Sequence, residues 1–250
     1  MDKTTKFLLV LVVILFNYCP VLAETIEDDG DPWEPFNRAI FSFNDTVDEY
    51  FFEPIAKGYN YVMPSRVKIG VNNLFENLSY PMYLLSDLVQ LKFEQVGDHT
   101  GRFLINSTAG VLGVMDVAKD VGLAKHYEDF GVALGYDGIP GGPYLVLPFF
   151  GPGNVRDTVG KVVDNFMTPF FYIDNPPVTI SLTGLSLIDT RRTLIDAVDL
   201  GKESSLDYYS FVRSSYHQRR QSLIYDGEPP EEEEQEEEMQ DNTGNKGAKE

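Results

Sequence analysis

Apolar positions recur at helical spacing through most of the chain. Phe36, Ile40, Phe43, Val47 and Tyr50 mark a first helix, with Asp31 as its cap, Pro32 at the first helical position and Glu34 in the first turn. Phe41 and Phe51 widen its apolar face, so the helix needs cover on more than one side. Pro54 and Pro64 bound the next piece, leaving Ile55 to Val62 as a short aromatic helix. Val67, Val71, Leu74, Phe75 and Leu78 predict a helix from Ser65, and Met82, Leu85, Leu88 and Leu91 another from Pro81. Between Phe93 and Asp120 the pattern predicts two helices with a break near Gly110. Asn154 is placed to cap a helix through Val159, Val162, Val163 and Phe166. After proline turns at Pro169 and Pro176-Pro177, one long helix runs through Leu182, Leu185, Ile188, Ile195 and Val198. A last helix, from Ser204, carries Tyr209, Val212, Tyr216 and Leu223 on one face and Arg213, Arg219 and Arg220 largely off it. Strand-like alternation is nearly absent. The expected class is all-α with long irregular insertions.

One stretch breaks the rhythm. From Gly142 to Gly151 every residue is apolar or aromatic, yet Pro143 and Pro148 interrupt the run, and Gly141, Pro152 and Gly153 fence it. Proline excludes both a long helix and a central strand, so the segment reads as a stiff, greasy loop. Such a loop is buried either in its own protein or in something else. The abundance of Phe and Tyr over several short helices favours lipid, because amphipathic rings suit the boundary between water and hydrocarbon.

Composition narrows the partners. The formal charge is -19, of which eleven acidic and two basic residues from Asp226 onward carry -9. That acidity argues against nucleic acid, which demands a basic face. Residues 226–250 read as a disordered acidic tail, either a solubilising segment or a lure for a basic partner. At the other end, Lys3 and Lys6, an apolar run from Phe7 to Phe16 and Val21-Leu22-Ala23 make a signal peptide of residues 1–23. Residues 24–30 read as a linker, and 31–225 as one helical domain. Cys19, the single cysteine, follows a bulky Tyr18, a poor setting for lipid attachment that competes with cleavage after Ala23. No later run approaches the roughly 20 apolar residues of a spanning helix, so contact with a bilayer would be interfacial.

Catalytic readings find little. His99, His126 and His217 lie far apart without metal-ligand spacing, and no nucleophile elbow, P-loop or dinucleotide fingerprint occurs. Asp129-Phe130-Gly131 spells a kinase tripeptide without the rest of a kinase. Neither a metal, a cofactor nor an enzymatic activity is expected. Gly131 and Gly135 permit close helix approach. Arg38, Arg102 and Arg156 sit beside apolar stretches, where they meet either lipid phosphates or the carboxylates of Glu34, Asp98 and Asp157.

Four blocks, in order, resemble the MlaA (VacJ) family. Asp31-Pro32-Trp33-Glu34-Pro35-Phe36-Asn37-Arg38 with Phe41-Ser42-Phe43-Asn44 is similar to its opening signature, and Gly101 to Thr108 with Gly110, Gly113 and Asp116 to its second block. Glu128 to Gly135 and the run through Arg156-Asp157 resemble the third. Tyr208 to Arg213 with Tyr216, Gln218, Arg219 and Arg220 resemble the last. The resemblance implies a ring of amphipathic helices lying in one leaflet of a Gram-negative outer membrane, at its periplasmic face. It implies a non-enzymatic transporter that takes phospholipid from the outer leaflet through an amphipathic channel, maintaining lipid asymmetry. The implied partners are phospholipid, a trimeric porin and a periplasmic carrier of the MlaC type. Two rivals stay open: a porin-associated scaffold without transport activity, and a lipid hydrolase, for which the sequence shows no nucleophile and base.

On that reading the channel lining is Phe36, Asn37, Phe41 and Asn44 from the first helix, with Tyr144, Leu145, Leu147, Pro148, Phe149 and Phe150 from the loop. Gly141, Gly142, Gly151 and Gly153 are the expected hinges of a gate, on the strength of glycine's wide conformational range. A Gly141→Val, Gly142→Val variant is expected to stall transport while leaving the fold intact.

Overall fold

The computed structural model describes residues 31–229, so the expectations for the signal peptide, the linker and most of the acidic tail lie outside the described residues. The chain enters through α1 (Glu34–Val47), runs without a break through a π-helical turn (Asp48–Phe52) into α2 (Glu53–Val62), and turns at Met63-Pro64 into α3 (Ser65–Val89). Pro54 interrupts nothing, because it falls in the first turn of α2, directly after the π turn, where a missing N–H is tolerated. Asp31 is not the side-chain cap of α1; the position is Trp33, and the Asp31 carboxylate is buried elsewhere.

α3 continues through Pro81, where the periodicity predicts two helices. Proline removes one backbone bond there. The helix persists because Tyr80 and Tyr83 on either side are buried, each ring packed against the imidazole of His99. α4 (Phe93–Thr108) packs along α3 and ends before Gly110, as the glycines predict, with α5 (Val117–Asp120) following. Gly110 has no room for a side chain: a Cβ would lie 2.2 Å from the Met115 carbonyl oxygen.

α6 (Phe130–Tyr136) and α7 (Val155–Met167) touch backbone to backbone, since a Cβ on Gly160 would lie 2.4 Å from the Gly131 nitrogen. Between them lies the greasy stretch, and it is not an irregular loop. Tyr144–Leu147 (β1) and Gly151–Asn154 (β2) pair antiparallel, with Val146 opposite Pro152 and Leu147 opposite Gly151. A 3-10 turn (Pro169–Tyr172) leads to α8 (Pro176–Thr193), α9 (Ile195–Ser204) and α10 (Tyr208–Ile224). The long helix expected over 182–198 is thus two, broken at Leu194. Asp226 belongs to the domain rather than the tail, because Lys92 and Gln95 hold its carboxylate at 2.7 and 3.1 Å.

The contacts close a circuit. α1 packs on β1, β2 on α10, α10 on α9, α9 on α8, and α8 on α2, which the π turn joins back to α1. α3 leans on α8 and carries α4, α6 and α7 outside the circuit. The burial pattern is inverted relative to a soluble bundle. Among the described residues more polar and charged side chains than apolar ones are buried, while Tyr61, Phe149, Phe150 and many other large apolar side chains are exposed. Exposed apolar surface on this scale marks contact with lipid or protein. No helix among the described residues is long and apolar enough to cross a membrane.

Candidate functional site

The circuit surrounds an open cavity of about 500 Å³. Phe41, Phe52, Phe149, Phe150, Leu187, Val198 and Val212 make its walls apolar, drawing on α1, the π turn, the hairpin tip, α8, α9 and α10. A second, more polar cavity of about 390 Å³ opens beside α3 and α8, between Asn72, Glu76, Ser79, Tyr83 and Thr183. The two share Leu187 and Thr190 on α8, so apolar and polar spaces meet across one helix.

The hairpin is held in the circuit by α1. Asn37 is fully buried; its Nδ2 donates to the Tyr144 carbonyl at 2.9 Å, and its Oδ1 accepts from the Val146 N–H at 2.9 Å. Asn44 repeats the pattern, donating to the Leu147 carbonyl at 2.9 Å and accepting from the Phe149 N–H at 2.8 Å. Two helical turns and three strand residues both advance about 10 Å, so asparagines seven apart stay in register with β1. They supply the partners that a further strand would have offered. Asn37 also donates to Asp31 Oδ1 at 2.8 Å, while Asp31 accepts the Tyr209 hydroxyl from α10. One buried carboxylate therefore ties together the entry of α1, the hairpin clamp and the last helix.

Of the expected channel residues, Phe41, Asn44, Phe149 and Phe150 line the cavity. Asn37 is instead the clamp, enclosed by protein. Tyr144 belongs to the small apolar core with Val146 and Tyr209, its hydroxyl pushed up to about 12 by burial and by Asp31. Leu145 and Leu147 are half-buried, Pro148 lies in the exposed turn, and Phe36 is exposed. Phe149 adopts a left-handed conformation, φ 65°, which costs a bulky residue roughly 1–2 kcal/mol. Its ring meets Phe43 edge-on at 5.4 Å.

The glycines divide by role. Gly142 and Gly151 have positive φ, 69° and 73°; Gly142 precedes β1, and Gly151 opens β2 at the hairpin tip, opposite Leu147. Gly141 is a packing position: a Cβ would lie 2.6 Å from Asn154 Nδ2, and Asn154 caps α7. Gly153 sits inside the ladder opposite Leu145. A variant with valine at both 141 and 142 therefore cannot leave the fold intact.

All three arginines expected at phosphate are engaged by protein. Arg102 is buried, with Nε on the Tyr80 hydroxyl, Nη1 on the Leu123 carbonyl and Nη2 on both oxygens of Asp116. Its partner is Asp116, not Asp98, which binds His126. Arg38 bridges Glu34 and Asp207 over the Tyr209 ring, and Arg156 joins Asp157 to the Ile139 carbonyl. Arg220, expected largely away from the packed face, inserts between Asp129 and Asp157, which hold its pKa above the ordinary range against the opposing effect of burial. Nearby, burial and the Asp129 charge push the Asp164 carboxyl up to about 7. His99 is buried between Asp87 Oδ2 and the His126 carbonyl, and no metal cluster occurs among the described residues.

Arg191 joins the site without any signal in the sequence. It lines the cavity, with Nε on both oxygens of Asp48 at 2.7 and 2.9 Å and Nη2 on Glu53 at 3.3 Å. Nothing in Arg191-Arg192 distinguishes it, since its partners lie more than 130 residues away.

Comparison with known proteins agrees with this architecture. The chain is 32% identical over 206 residues to the intermembrane phospholipid transport system lipoprotein MlaA of Escherichia coli, covering 80% of each chain. The Haemophilus influenzae protein of the same name is 30% identical, covering 81% of this chain and 82% of that one. An uncharacterized protein of Rickettsia bellii is 35% identical over 195 residues, covering 78% of this chain and 76% of that one. A solved structure concerned with the maintenance of bacterial outer membrane lipid asymmetry superposes with a TM-score of 0.69 at 30% identity, covering 78% of this chain and 99% of that one. A family model described as MlaA lipoprotein matches residues 29–223, and with it this chain belongs to the MlaA family.

Proposed function

We propose that the chain is a phospholipid transporter of the Gram-negative outer membrane, working from the periplasmic face to remove phospholipid from the outer leaflet. The single observation that carries this reading is an open, apolar-walled cavity ringed by the helices and the hairpin, in a domain that is also rich in exposed apolar side chains. Such a ring sits in one leaflet, where non-helical backbone needs partners for its polar groups within the protein. The Asn37 and Asn44 clamps supply them for the hairpin. Headgroup and adjoining chain enter the cavity, whose volume suits a ligand of that size. The polar cavity beyond Leu187 and Thr190 offers the headgroup a continuation toward water. A periplasmic carrier of the MlaC type receives the lipid there, and a trimeric porin docks on the exposed apolar exterior. Gly142 and Gly151 let the hairpin tip move as a gate, with Phe149 and Phe150 as its moving surface.

The test is cross-linking with a photoactivatable phospholipid in native membranes, mapped by mass spectrometry. Transport through the ring predicts adducts at Phe52, Val198 and Val212. A scaffold that only organises neighbours would be labelled solely on its outer surface, and that result overturns the reading.

A further inference from the structure

Among the described side chains lining the apolar cavity, Arg191 is the only cation and Asp45 and Asp48 are the only carboxylates. The Arg191 side chain is only 9% exposed, and two of its three nitrogens are bonded to Asp48 and Glu53. The third, Nη1, is buried and has no partner in the protein. A guanidinium nitrogen left unsatisfied in such a place is costly, and because the Arg191 side chain lines the cavity, a small turn of the guanidinium brings Nη1 to an acceptor that arrives there. Charge-assisted donation to a phosphodiester oxygen is the strongest bond available to it.

The surrounding charges limit which phosphodiester fits. Asp45 is held by Lys202 at 2.7 Å, Glu53 by Lys57 at 2.5 Å, and Asp48 by Arg191. These three carboxylates and three cations balance with no ligand bound. A net-anionic headgroup would add an uncompensated charge in a poorly solvated space, against two lining carboxylates. A headgroup carrying both a phosphate and an ammonium adds none, and its ammonium finds Asp45 and Asp48. We propose that Arg191, Asp48 and Asp45 form a headgroup site that takes zwitterionic phospholipid, phosphate on Arg191 Nη1 and primary ammonium on the carboxylates, in preference to anionic phospholipid. The proposal rests on the transport reading and deepens it.

The test uses the purified protein in amphipol, with binding of dihexanoyl-phosphatidylethanolamine, dihexanoyl-phosphatidylglycerol and soluble glycerophosphoethanolamine measured by calorimetry. Wild type should bind the zwitterionic lipid about tenfold more tightly than the anionic one, the worth of one charge-assisted bond. Arg191→Met should lose about tenfold for the zwitterionic lipid. Asp45→Asn should bind the anionic lipid more tightly and narrow the gap. Glycerophosphoethanolamine, lacking tails for the apolar walls, should bind most weakly; equal binding would assign the site to a soluble ligand and overturn the proposal. Should Arg191→Met fail to fold, the wild-type preference and the Asp45→Asn response decide. Equal affinity of wild type for both lipids overturns the headgroup site and leaves transport standing. Binding of neither lipid overturns both.

Discussion

Replacing Asn37 with leucine should cost at least as much as a typical apolar truncation in a core. The side chain is fully buried, and its removal strands the Tyr144 carbonyl, the Val146 N–H and one oxygen of Asp31. Each buried group left unpaired costs roughly 1–3 kcal/mol, so the three together should cost about 3–9 kcal/mol, a large share of a domain's usual 5–15 kcal/mol. Asn44 makes the same two backbone bonds from a half-buried position open to water, and Asn44→Ala should lose only about 1–2 kcal/mol. Denaturant unfolding followed by circular dichroism gives both values, and amide exchange locates them. Val146 should lose protection in the first variant and Phe149 in the second. Asn37→Leu within about 1 kcal/mol of wild type, with Val146 still protected, would refute the claim that α1 stands in for a missing strand.

Arg102→Met should destabilise by about 3–5 kcal/mol, because it leaves the Asp116 carboxylate and the Tyr80 hydroxyl without their buried partner; unfolding free energy checks this. Asp164 has a raised pKa, so the fold favours its neutral form and stability falls as pH rises from about 4 through about 7, then levels. Asp164→Asn should remove that decline, raising the melting temperature at pH 8 and leaving it nearly unchanged at pH 4. Gly151→Val should destabilise by roughly 1–2 kcal/mol from its positive φ alone, with nothing within 4 Å to clash, whereas Gly141→Val should also disorder the start of α7; thermal melts and amide exchange of the α7 cap separate the two.

Helices were legible in the sequence and the site only unevenly so. Helical periodicity located most elements, because an apolar stripe is a local signal whether lipid or protein covers it. The hairpin was hidden since Pro143 and Pro148, inside the apolar run, argue against a strand, although Pro143 falls just before β1. Yet Pro148 occupies the turn, and Val146 opposite Pro152 directs its N–H to Asn37 rather than across the ladder. Pro81 misled in the same way, because burial of Tyr80 and Tyr83 outweighs one lost backbone bond. Phe41, Asn44, Phe149 and Phe150 were recognisable as cavity residues from their motifs. Arg191 was not, because its meaning comes from Asp48 and Glu53, far away in sequence. The motif residues Asp31, Asn37, Arg102, Asp116, Asp129, Asp157 and Arg220 share one physical role. They knit together the ring and the helices packed outside it, which the small apolar core cannot hold alone.

The most direct test of the central claim is the amount of phospholipid exposed on the outer leaflet of intact host cells. Deleting the gene should raise it, and wild type should restore it. A Phe149→Asp, Phe150→Asp variant that reaches the membrane and folds should fail to restore it, since two carboxylates at the hairpin tip charge the apolar cavity wall. Full restoration by that variant would contradict passage of lipid through the ring.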